Sequence, residues 1–127
     1  MSSFKALVID DCEDGRFILK KILNKTGLEV LVASGAVEGL AICEEQMPYF
    51  IFLDWWMPEV DGLEFIRRLR QMPGSDRPTI IMCTCEDEVS KVQLALKEGI
   101  DGYLVKPFNE TDVHKHIVKH IPDPSRM

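Results

Sequence analysis

Four polar stations in this chain carry side chains from which a reaction could be built: Asp10-Asp11, Asp54, Thr84 and Lys106, each at the close of an apolar run. Three carboxylates crowded together repel one another, and a hard divalent cation bound by their oxygens lowers that cost. Magnesium, which keeps several waters, suits such a set better than an all-protein calcium cage. A hydroxyl and an ammonium group beside the metal would surround a tetrahedral oxyanion with a donor and positive charge, while one carboxylate acts as nucleophile toward phosphorus. Asp54 is the candidate nucleophile, because it ends the run Tyr49-Phe-Ile-Phe-Leu and is followed by a break at Met57-Pro58. Taken alone, Asp54 reads equally well as a strand-ending residue that caps a turn. The stations acquire a meaning only if the fold gathers them.

The intervening sequence predicts that it does, because strand patterns and helical patterns alternate five times. Lys5–Ile9 is the first strand, and the helix after it has Ile18, Leu19, Ile22 and Leu23 on one face and Gly27 as its stop. Glu29–Ala33 is the second strand. Ser34 is the expected cap of a helix with Val37, Leu40, Ala41 and Glu44 spaced at three and four, ended by Pro48. Five consecutive apolar residues before Asp54 suit a central strand buried on both faces. Asp61-Gly-Leu-Glu64 has the form of a capping box ahead of Phe65, Ile66, Leu69 and Met72. Thr79–Cys83 is the fourth strand, with Val89, Val92 and Leu96 marking the inner face of a helix finished by Gly99. Gly102–Val105 is the fifth strand, Lys106-Pro107 its break, and Asn109 caps a helix carrying Val113, Ile117 and Ile121. Apolar strands joined by helices imply right-handed parallel crossovers and a doubly wound α/β domain, whose strand ends share one edge. Active sites of open parallel sheets gather beyond that edge.

Composition narrows the function. A chain of 127 residues and 14.5 kDa is the size of one domain, so residues 1–127 are expected to form a single unit with its core over 5–121. The net charge of -6 argues against nucleic acid as a direct partner, and the one basic cluster, Arg67, Arg68 and Arg70, reads as a solvated helix face. No apolar run approaches the roughly 20 residues of a membrane span and no signal-peptide core is visible, so a cytoplasmic protein is expected. Cysteines 12, 43, 83 and 85 lack metal-knuckle spacing; Cys83-Thr-Cys85 is either a redox or metal pair or two small buried hydrophobes. His116 and His120 stand four apart, a spacing that can hold zinc, but no third ligand accompanies them, and a solvated helix face is expected.

Considered as a set, an acidic pair closing the first strand, Asp54 with Met57-Pro58, Thr84 closing the fourth strand and Lys106-Pro107-Phe108 after the fifth resemble a receiver domain of two-component response regulators, similar to the single-domain chemotaxis type, from Lys5 to Ile121. The resemblance implies the five-stranded (βα)5 flavodoxin-like receiver fold. It implies that Asp54 accepts a phosphoryl group from a histidine of a histidine kinase or phosphotransferase protein. Asp11, Asp54 and the Trp55 carbonyl would bind Mg2+, with Asp10 assisting through water, and Thr84 and Lys106 would contact the phosphoryl oxygens. Tyr103 becomes the switch aromatic that alters the face of the fourth helix, fifth strand and fifth helix toward a downstream protein target, and the Lys106-Pro107 bond is expected to be cis. Beyond catalysing its own phosphorylation and dephosphorylation, no enzyme activity is expected, and no output domain is expected after the last helix.

Three departures stand out. Cys85 replaces the usual small Ala or Gly after Thr84 and would restrict the inward path of Tyr103. Two tryptophans follow Asp54, and Trp56 is expected to overhang the site and keep water from it, whereas Glu86 could hold a water there. The alternatives are a flavodoxin-like cofactor carrier and a receiver that docks without phosphorylation. The first needs a cradle of Ser, Thr or Gly backbone donors, where this chain has Asp10-Asp11-Cys12-Glu13-Asp14. The second leaves five matched site residues without a purpose.

Overall fold

Apolar residues, many of them β-branched or aromatic, dominate the five strands, and the strand pairing is parallel throughout. In a computed structural model that describes residues 4–55, 60–74, 78–85 and 89–121, the strands are β1 (Lys5–Ile9), β2 (Glu29–Ala33), β3 (Phe50–Asp54), β4 (Thr79–Cys85) and β5 (Gly102–Lys106). They lie in one sheet in the order β2-β1-β3-β4-β5. The helices α1 (Glu13–Asn24), α2 (Ala36–Glu45), α3 (Gly62–Leu69), α4 (Val89–Lys97) and α5 (Glu110–His120) alternate with the strands. The doubly wound flavodoxin-like α/β fold expected from the sequence is the fold observed.

Alternate strand residues enter two separate cores, as the two-residue period of a strand requires. On one face Leu7, Ile9, Ile51, Leu53, Ile80 and Met82 pack against Phe65 and Ile66 of α3 and Val92 and Ala95 of α4. On the other, Val8, Phe50, Phe52, Ile81 and Leu104 meet Leu19 and Leu23 of α1 and Val113 and Ile117 of α5. Every residue of β3 is buried, which is why its sequence is a solid apolar run. Each such side chain contributes about 1.5–3 kcal/mol by leaving water.

Register fixes the functional edge. Asp54 lies opposite Cys83, Thr84 opposite Val105 and Cys85 opposite Lys106, so the polar stations of three neighbouring strands fall within a few residues of one another.

Helix ends follow local chemistry. The Asp61 carboxylate accepts the Glu64 N–H (2.9 Å), and Asn109 and Asp112 form a complete capping box at α5. Gly27 and Gly99 take positive φ, 88° and 97°, where a Cβ would be strained.

Several helical expectations are corrected. Ser34 does not cap α2: Gly35 holds the cap position without a side-chain bond, and the Ser34 N–H instead donates to Glu38 Oε1. The inner face of α2 is Ala36, Gly39, Leu40 and Cys43 rather than Val37, Leu40, Ala41 and Glu44, because Gly39 lets the helix lie directly on Ile9. Ile18, expected inward, is 56% exposed, and Leu96 gives way to Ala95 as the partner of Val92 in the core. These are errors of helical phase by one position, set by which side of each helix the sheet reaches. His116 and His120 are half-buried rather than solvated, with parallel rings 6.4 Å apart, and His116 rests against Gly102. Burial, the largest influence, together with the neighbouring His120, holds the His116 pKa below its ordinary value, while the imidazole's hydrogen bond to the Tyr103 backbone acts to raise it. Arg67 and Arg68 do lie on an exposed face, paired with Glu98 and Glu64.

Candidate functional site

Beyond the carboxyl ends of the strands, the turn after β1 and the ends of β3, β4 and β5 bring Asp10, Asp11, Asp54, Thr84 and Lys106 together. Asp10, Asp54 and Thr84 are only 7%, 8% and 2% exposed, whereas Asp11 is open to solvent. One carboxylate oxygen from each of Asp10, Asp11 and Asp54 lies within 4.8 Å of the others, a spacing that a divalent cation can bridge. Lys106 Nζ stands 3.4 Å from Asp54 Oδ1 and 3.7 Å from Asp10 Oδ2. Lys106-Pro107 is a cis peptide, as expected.

Two buried carboxylates facing one ammonium group set the electrostatics. Burial pushes the Asp54 pKa up, Lys106 pulls it down and Asp10 raises it again, leaving it at about 6 against an ordinary 3.8. For Lys106, burial acts downward but Asp54 and Asp10 outweigh it, so its pKa is raised and the ammonium stays charged at neutral pH. Cys83, beside this cluster and across from Asp54, has its thiol pushed up to about 12 by burial, with Asp54 and Asp10 adding to the rise, and it behaves as a small core residue. The donor set is oxygen-rich, anionic and partly open on the Asp11 side, which fits a hard cation that retains water.

Trp55 is buried in the core on the α3 side; its N–H donates to the Cys83 carbonyl (3.2 Å) and its carbonyl accepts the Gly62 N–H (3.1 Å). That carbonyl therefore keeps one lone pair for any further partner. Tyr103 is 44% exposed on β5, the outward placement of a side chain expected to turn inward. Trp56 and Glu86, the two residues expected to overhang the site, lie outside the described residues, as do Met57-Pro58 and the side chain of Cys85.

Sequence reasoning missed the residues that hold Asp10. The Cys12 N–H donates to Asp10 Oδ1 (2.9 Å), and Arg16 Nη1 donates to the Asp10 main-chain carbonyl (2.7 Å). Gly15 abuts the same carboxylate: a Cβ there would stand 2.5 Å from Asp10 Oδ2. A glycine inside the first turn of a helical pattern was the available signal; nothing local marked Arg16.

A parallel α/β sheet with an acidic cluster, a hydroxyl and a lysine at its carboxyl edge defines a receiver-type domain. Residues 6–118 match the response regulator receiver domain, and the chain belongs to that family of two-component systems. The phosphate regulon transcriptional regulatory protein PhoB of Rhizobium meliloti is 37% identical over 109 residues, 86% of this chain and 48% of its own. The chain thus spans about half the length of that relative. A chemotaxis protein CheY homolog of Campylobacter jejuni is 37% identical over 106 residues, covering 82% of each. Among solved structures, chemotaxis protein CheY4 of Vibrio cholerae superposes with a TM-score of 0.88 at 30% identity, over 94% of this chain and 100% of that one. Among the described residues no helix is long and apolar enough to cross a membrane.

Proposed function

We propose that this receiver accepts a phosphoryl group on Asp54, with Mg2+ as cofactor, from the phosphohistidine of a histidine kinase or histidine phosphotransferase protein, and so changes its binding to a downstream protein. The observation that carries the reading is the Asp54 carboxylate set 3.4 Å from Lys106 within a cluster of three aspartates. Lys106 brings positive charge to one side of Asp54, and the neighbouring Asp10 and Asp11 offer oxygens by which a divalent cation could bring it to the other.

The roles follow from placement. Asp54 is the nucleophile: its oxygen bonds to phosphorus as the phosphorus–nitrogen bond of the donor breaks, and the imidazole leaves with that electron pair. Lys106 meets the charge on the transferred group, and Thr84, buried at the end of β4, supplies a hydroxyl to the same oxygens. Asp11, Asp54 and the Trp55 carbonyl would hold the cation directly, with Asp10 acting through water; the Trp55 carbonyl accepts one bond from Gly62 and has a second lone pair to offer. When bound, the metal neutralises charge shared between carboxylates and phosphoryl oxygens. The protein then acts as catalyst only of its own phosphorylation and dephosphorylation, and it belongs in the cytoplasm with its donor. Tyr103 and Thr84 are the proposed couple between site and surface, through α4, β5 and α5.

Acetyl phosphate with magnesium, followed by intact-mass measurement and peptide mapping, tests the acceptor. One phosphoryl group on Asp54, absent from a folded Asp54→Asn variant, is the expected result. Robust labelling elsewhere in the wild type would overturn it.

A further inference from the structure

Gly15 lies within the first turn of α1, where Ala is the better helix former, so its presence calls for a reason beyond propensity. The space its Cβ would occupy is filled by Asp10: Oδ2 lies 2.5 Å and Cγ 3.3 Å from that point. The next residue, Arg16, reaches back to donate to the Asp10 carbonyl at 2.7 Å. Cys12 N–H holds Oδ1 at 2.9 Å, and Lys106 stands 3.7 Å from Oδ2. Asp10 is therefore fixed at main chain and at both carboxylate oxygens, while Asp11, one residue on, is exposed.

We propose that Gly15 and Arg16 are positioning residues: together they seat the Asp10 carboxylate so that it supports the cation through water and leaves direct contact to Asp11 and Asp54. This deepens the magnesium reading above and rests on it. The physical reason is geometric. A carboxylate that must act across a water molecule works only at a set distance, and groups that orient a ligand set alter metal affinity by about 10- to 100-fold when removed. A methyl at position 15 displaces Oδ2 from its seat, because 2.5 Å is closer than real Cβ contacts come. Arg16→Lys keeps the charge near the cluster but removes the guanidinium Nη1 that reaches the Asp10 carbonyl.

The test is titration of isotopically labelled protein with magnesium chloride alone, following backbone amide shifts, for wild type, Gly15→Ala, Arg16→Lys, Asp11→Ala, Asp10→Ala and the double variant Asp10→Ala/Gly15→Ala. Gly15→Ala and Arg16→Lys are expected to bind magnesium about tenfold or more weakly, with amide shifts outside the site unchanged. In the Asp10→Ala background, Gly15→Ala is expected to have no further effect, which a general disturbance of α1 would not reproduce. Wild-type affinity in both single variants, with Asp11→Ala still losing the metal, would overturn the positioning roles and leave the site reading standing. Wild-type affinity in Arg16→Lys alone would remove Arg16. An additional loss in the double variant would assign Gly15 to helix packing instead. No magnesium-dependent shift in the wild type would overturn the site reading and this proposal with it.

Discussion

Replacing Asp54 by Asn should make the metal-free protein more stable at neutral pH. Asp54 is buried, with a folded pKa of about 6 against 3.8 for an unperturbed carboxyl, so the folded state resists its ionisation more than the unfolded chain does. The favourable contribution of the protonated group is fully present below pH 3.8 and is lost as pH rises through about 6. At pH 7 the ionised carboxylate therefore costs the fold stability. A shift of about two units at 1.36 kcal/mol each sets a ceiling of about 3 kcal/mol, and electrostatic coupling of Asp54 to its neighbours brings the expected gain to about 1–3 kcal/mol. For a chain of this length, 1 kcal/mol moves the melting temperature by about 4 °C, so Asp54→Asn should melt about 4–12 °C higher at pH 7 without metal. The advantage should shrink steadily from pH 7 toward pH 4. Magnesium should narrow it further, since a ligand at ten times its dissociation constant stabilises only the protein that binds it, by about 1.4 kcal/mol. Urea or thermal denaturation of both proteins at pH 4.5, 5.5 and 7, with and without magnesium, decides the matter. A variant less stable than wild type at pH 7, or an advantage independent of pH, would refute the argument that burial and like charge dominate over the Lys106 pair.

Three further outcomes can be checked. Asn109→Ala removes the acceptor of the α5 capping box and should cost about 1 kcal/mol in urea denaturation, with unchanged magnesium affinity. Gly39→Ala puts a Cβ 2.5 Å from Ile9 Cδ1, where overpacking should cost about 1–3 kcal/mol despite the better helix propensity of Ala; a neutral or stabilising result would show that Ile9 can move aside. Trp56→Asn should shorten the lifetime of the acyl phosphate after the donor is removed, because indole can donate a hydrogen bond but cannot take a proton from water, whereas Asn could orient the attacking molecule; equal or slower decay in the variant removes Trp56 from any shielding role.

Much of the molecule is legible in its sequence. The alternation of two periods along one chain dictates strands joined by helices, and right-handed parallel crossovers then leave little choice of topology. The residues ending those strands, Asp10, Asp54, Thr84 and Lys106, could be picked out because each interrupts an apolar run, and parallel pairing sends all such interruptions to one edge. Local chemistry carried Asn109 and Asp61 correctly, since a cap bonds its own next turn. What the sequence could not decide was phase and reach. Ile18 and Leu96 have the right type for a core and are outside it, because the side of a helix that meets the sheet depends on the angle at which the whole helix lies. His116 and His120 carry polar labels yet are half-buried, since only the packing of α5 on β5 places Gly102 beneath an imidazole. The hold on Asp10 by Gly15 and Arg16 belongs to the same class. It joins a strand end to the helix that follows, across a turn whose shape no short-range pattern specifies, and the raised pKa of Asp54 likewise exists only once tertiary structure has closed around three charges.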